Sequence, residues 1–144
     1  MVAWYLTIRS DARYSSFATT APLFEFLAAV PELRQTGPVE FQSADGQPRV
    51  AVMMAACSQE GNYATDGQFH RRVNVVELVC SYSGDPAWYD ALAGRIAAFL
   101  GWSAFEDHAE RQVWPPPEQR HAEPLYGLSC QRKRTANGAE GEKR

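Results

Sequence analysis

Apolar and polar positions alternate from the start of the chain. Val2, Trp4, Leu6 and Ile8 interleave with Ala3, Tyr5, Thr7 and Arg9, a period of two that predicts a strand with one face on a core. A polar stretch, SDARYSS at 10–16, interrupts the pattern. Thr19 and Thr20 then offer N-caps, Pro22 suits a first turn, and Leu23, Phe24, Leu27 and Val30 recur at helical spacing, so a helix is expected to end near Pro31. Val39 to Ser43 reads as a short strand followed by the turn pair Asp45-Gly46, and Arg49 to Cys57 as a strand apolar on both faces. A long polar loop from Ser58 to His70 leads into Arg72 to Tyr82, the strongest strand in the chain. There Asn74, Val76, Leu78, Cys80 and Tyr82 are predicted on one face and Val73, Val75, Glu77, Val79 and Ser81 on the other.

Asp85 and Pro86 mark the start of a second helix and Gly101 its end, with Tyr89, Leu92, Ile96, Phe99 and Leu100 as the buried stripe. Trp102 to Asp107 suits a last short strand, and an extended proline-led segment follows Trp114. The order β-α-β-β-β-α-β predicts an α+β fold: a mostly antiparallel sheet with two helices on one face, a ferredoxin-like variant with one additional strand. One domain is expected over 1–128, with a polar tail over 129–144. Trp4, Leu6, Val76, Leu78, Leu92, Ile96 and Phe99 should share the core. Val73, Val75 and Val79 beside Tyr5 would leave the other face too apolar for water, so the 114–128 segment or a second copy is expected to cover it.

Charge narrows the range of partners. Residues 1–128 carry nine arginines against fifteen acidic groups, a net −6, while 129–144 carry a net +3. An acidic body disfavours nucleic acid, whose phosphates require clustered cations, and suits a basic protein partner. The cysteines, Cys57, Cys80 and Cys130, are odd in number and widely spaced, which predicts neither a disulfide framework nor a zinc knuckle. No signal-peptide pattern or apolar run of about 20 residues is present, so a cytosolic location without membrane insertion is expected.

Candidate chemistry is sparse. No catalytic, phosphate-loop or metal motif is present, and no metal or cofactor is expected; His70, His108 and His121 lack the spacing of paired ligands. Two polar segments are the candidate partner-binding sites. The first is Asp11, Arg13, Tyr14 and the serines of the 10–16 loop, which could equally satisfy local turn amides. The second is Asn62, Tyr63, Asp66, His70, Arg71 and Arg72 in a loop too long for a plain hairpin. Glu77, alone among valines, either faces solvent on an open sheet face or is buried with a partner such as Arg9. Cys57 with His70, or Cys80 with Glu77, would be the nucleophile pairs of a cysteine enzyme, although Glu77 and Cys80 belong to opposite strand faces.

The stretch RVNVVELVCSYSGDPAWYDALAGRIAAFLGWSAFED, residues 72–107, resembles the back half of small bacterial polymorphic-toxin immunity proteins, including those paired with type VI secretion effectors. The likeness lies in a strand, a turn and a helix, and no functional residue carries over from it. It implies a cytosolic, non-enzymatic inhibitor that occludes a toxin. Independently of the likeness, Tyr14, Tyr63 and Arg13 of the two polar loops are the expected anchors. The alternatives are a small enzyme or ligand-binding domain using the 10–16 loop and Glu77, and a homo-oligomeric structural module.

Overall fold

A computed structural model describes residues 3–57, 69–107 and 111–116. In chain order the elements are β1 (Ala3–Arg9), β2 (Ala18–Thr19), α1 (Thr20–Ala28), β3 (Leu33–Gln35), β4 (Glu40–Ser43), β5 (Val50–Ala55), β6 (Arg72–Val73), β7 (Val75–Ser81), α2 (Pro86–Leu100), β8 (Ser103–Glu106) and β9 (Arg111–Trp114). Seven strands form one antiparallel sheet in the order β3-β4-β5-β7-β1-β8-β9, and β2 pairs with β6 in a separate ribbon. Strands β1 and β5 both run antiparallel to β7, so α1 joins two strands of like direction; α2 does the same for β7 and β8. The central order β5-β7-β1-β8 with two such crossovers is that of a ferredoxin-like sandwich. The expected additional strand is β4; β3 and β9 lengthen the sheet further at its two edges.

Alternation sets the core. Trp4, Leu6 and Ile8 lie opposite Cys80, Leu78 and Val76 in the β1–β7 register, and this row is buried beneath both helices. Each fully buried aliphatic side chain stabilises the fold by roughly 2 kcal/mol. Phe24 meets Phe41 edge-on at 5.1 Å, which seats α1 on the same sheet face as α2. The second helix is punctuated as its sequence predicts: Asp85 Oδ1 accepts from the Ala87 N–H at 3.0 Å, Pro86 opens the helix, and Gly101 ends it at φ 74°. Gly94 is fully covered by β9, since a Cβ there would lie 2.9 Å from Cε3 of Trp114.

Two positions depart from the expected core. Phe99 is 46% exposed and stacks on Phe26 at 4.4 Å. The inward stripe runs Tyr89, Leu92, Ile96, and four residues on it reaches Leu100, which leaves Phe99 on the helix flank. Val73 belongs to the main core and not to the opposite face, because the predicted strand 72–82 is two strands broken at Asn74. The break resets the alternation, since one extra residue moves every side chain beyond it to the other face. The opposite face of the sheet keeps Tyr5, Met53 and Val79 half-buried or exposed, whereas Val75 is covered by Tyr14, Ala55 and Cys57. The expected covering segment falls largely on residues 117–128, outside the described residues. No helix among the described residues is long and apolar enough to cross a membrane.

Candidate functional site

The β2–β6 ribbon brings together two segments that lie more than fifty residues apart in sequence. Ala18 faces Val73 and Thr19 faces Arg72. Beyond the pair, the Thr20 N–H donates to the Arg71 carbonyl at 2.9 Å, and the Thr20 hydroxyl donates to the His70 carbonyl. Thr20 is therefore buried as a fastener between the segments, whereas Thr19, at the N-cap position, makes no side-chain cap bond. The 10–17 loop and the 69–72 segment become one corner of the molecule. On it Phe17 is 45% and Phe69 50% exposed, the Arg72 guanidinium lies 5.2 Å over the Phe17 ring, and Arg13 and Arg71 are exposed.

Asn74, at the strand break, locks this corner to the sheet. Its side-chain oxygen accepts from the Cys57 N–H at 2.8 Å, and its amide donates to the Cys57 carbonyl at 2.9 Å and to the Tyr14 carbonyl at 3.1 Å. A buried amide placed in this way does for β5 and the 10–17 loop what a ladder pair would do. The loop is also tied internally. Asp11 Oδ1 accepts from the N–H groups of Arg13 and Ser15 and from the Ser15 hydroxyl, and the Ser10 hydroxyl accepts from the Ser16 N–H. Partial burial pushes the Asp11 carboxyl up, but the Ser15 hydroxyl and the surrounding N–H groups outweigh it and hold the group below its ordinary value. Asp11 and the serines therefore serve the loop's own turn amides. The bonds to Asp11 and Asn74 fix Tyr14 at φ 57°, a left-handed conformation uncommon for an aromatic residue.

Tyr14 faces inward across the sheet. Its hydroxyl accepts from Arg9 Nη1 at 3.2 Å, and the Arg9 guanidinium lies over the Tyr14 ring at 5.4 Å and over the Phe105 ring at 5.0 Å. Glu77 is 8% exposed, so it does not face solvent. Nor does it pair with Arg9. It lies opposite Thr7, whose hydroxyl is 3.2 Å from Glu77 Oε2 and 2.8 Å from Asp107 Oδ1. One hydroxyl proton serves one of these carboxylates at a time.

The thiols sit in surroundings that suppress ionisation. Burial pushes Cys57 up from its ordinary 9.0 to about 11, against the opposing influence of Arg9, and it pushes Cys80 up to about 12. At pH 7 about one Cys57 in ten thousand is a thiolate, a poor starting point for a nucleophile. The burial that raises these groups has a consequence for stability. Because the folded thiols bind their protons more tightly than unfolded ones, their contribution is fully present below pH 9 and is lost as pH rises toward 11 and 12. Burial raises the Tyr89 phenol in the same direction. The urea midpoint should therefore fall between about pH 8 and about pH 10.5, and Cys80→Ala should lessen that fall. A flat profile would show that these thiols ionise as freely folded as unfolded.

Of the residues singled out from sequence, Asp11, Arg13, Tyr14, His70 and Arg71 all lie at or beside this corner. Asn62, Tyr63 and Asp66 lie outside the described residues, as do Cys130, His108 and His121. Arg72, singled out with Arg71, lies there too, whereas Phe17, Phe69, Arg9 and Asn74 were not picked out as site residues. The signal available for Phe17 and Phe69 was an aromatic at the rim of a polar stretch. Among the described residues, no three His, Cys, Asp or Glu side chains gather as a metal site requires. No known protein family, curated protein or solved structure matches the chain.

Proposed function

We propose that this chain is a non-enzymatic protein-binding module whose contact surface is the Phe17–Arg72 corner. The finer reading, supported by the resemblance over residues 72–107, is a cytosolic immunity-type protein that neutralises a toxin by covering it. The observation that carries the reading is the fastening of two polar segments into one rigid surface bearing exposed Phe17 and Phe69 beside Arg13, Arg71 and Arg72. Aromatic and arginine side chains preordered in this way lose little entropy on docking and are the residue types that dominate binding energy. None of these three arginines is ion-paired among the described residues, so the corner asks for an acidic patch on its partner, whatever the partner's overall sign.

The test is a calorimetric titration against the product of the adjacent gene. Phe17→Ala or Arg72→Ala should each weaken binding by about 2 kcal/mol, roughly thirtyfold, with thermal stability little changed. Arg95→Ala, on the helix face, serves as the control. Equal affinity of all three variants and the wild-type protein would remove the corner as the contact surface.

A further inference from the structure

Arg9 is half-buried on the face of the sheet away from the helices and lies over two aromatic rings, yet among the described residues its charge has no acidic partner. Among the described residues its one hydrogen bond is to the neutral Tyr14 hydroxyl, and no carboxylate lies within ion-pair distance. Its Nε is out of water and without an acceptor. Two described acids on this face, Glu77 and Asp107, converge on Thr7, two residues or about 7 Å back along β1. A half-buried guanidinium whose Nε–H has neither water nor an acceptor leaves a donor unsatisfied in the free protein. The same features favour an incoming anion, because the fork is already oriented and little rotamer entropy remains to be lost.

We infer that Arg9, framed by Tyr14 and Phe105, is a binding site for a single carboxylate group. The planar guanidinium matches a planar carboxylate in two parallel hydrogen bonds. Glu77 and Asp107, gathered on Thr7 about 7 Å back along β1, supply negative charge, which disfavours a doubly charged phosphate more than a singly charged carboxylate. Tyr14 is the positioning residue: the left-handed backbone at φ 57° turns its hydroxyl and ring onto Arg9. An acidic side chain of a protein and a free small acid both present this group, and titration with each distinguishes them. The site stands whether or not the neighbouring corner binds a protein.

The experiment follows the Arg9 Nε–H resonance by NMR while acetate, inorganic phosphate or a peptide-blocked glutamate is added separately. The Nε–H of exposed Arg34 is the internal control. The Arg9 signal should move saturably with a carboxylate probe, while Arg34 drifts linearly. Half-saturation should come at least about threefold lower in carboxylate than in phosphate. Tighter binding of the blocked glutamate identifies a protein-borne carboxylate, and equal or tighter binding of acetate a free acid. Both outcomes support the site. Arg9→Lys should weaken the response, read on neighbouring backbone amides, about tenfold or more. A linear drift of Arg9 matching that of Arg34, or saturation by phosphate below both carboxylates, overturns the inference. The wild-type titration decides this by itself if a variant fails to fold.

Discussion

Replacing Asn74 by alanine should destabilise the protein by about 3 kcal/mol and lower its melting temperature by roughly 10 °C. The substitution removes three hydrogen bonds at once and leaves the Cys57 N–H and carbonyl and the Tyr14 carbonyl without their partner. Each buried polar group abandoned in this way costs about 1–3 kcal/mol, and Asn74 is itself 1% exposed, so water does not readily replace it. The damage should be local as well as global. With Asn74 gone, nothing else described ties the Tyr14 carbonyl to the sheet, and amide exchange over 11–17 should rise by more than the global loss of stability accounts for. Asn74→Asp keeps the acceptor but sets an unpaired buried carboxylate against the Cys57 and Tyr14 carbonyls, and should cost at least as much as alanine at pH 7. A loss below about 0.5 kcal/mol in Asn74→Ala would mean that the corner is fixed by other contacts.

Tyr89→Ala should destabilise the domain by about 4 kcal/mol without acting through the site. The ring is fully buried, meets Trp4 edge-on at 5.6 Å and Trp88 at 5.3 Å, and occupies the space that the missing side chain of Gly84 leaves open. Its hydroxyl donates to the Arg49 carbonyl at 2.6 Å and accepts from the Ser81 N–H at 3.4 Å, joining the start of β5 to the end of β7. Tyr89→Phe keeps the ring and removes only those bonds, a cost of about 1 kcal/mol. These bonds lie at the opposite end of β7 from Asn74, so Tyr89→Phe should lower the urea midpoint yet leave Arg9 and the corner unchanged. A parallel loss of stability and of site order would show that the two ends of the sheet are coupled.

Much of this architecture was legible in the sequence because long elements repeat their signal. The strand alternation over 3–9 and 75–81 put the right residues inside, and Asp85, Pro86 and Gly101 bounded α2 as capping chemistry requires. The site was less legible. A two-residue strand such as β2 or β6 has no period to detect, and its pairing is decided by where the rest of the fold delivers each segment. Asn74 reads as one more inward position of a strand; only the structure reveals that it ends the strand and bonds to Cys57 and Tyr14. The loop residues were found as residue types, yet their roles were exchanged. Asp11 serves its own turn and Tyr14 serves Arg9, while Phe17 and Arg72 face outward. Overall charge misleads at this scale too, since an acidic chain presents a corner of arginines.

The central claim is that the two fastened segments act as one binding surface, and a hydrogen-exchange footprint of the chain with and without its bound partner tests it most directly. Amides in both 13–17 and 69–72 should gain protection together, with the open sheet face around Tyr5, Met53 and Val79 unchanged. Protection confined to that sheet face, or to one segment while the other exchanges as before, would contradict it.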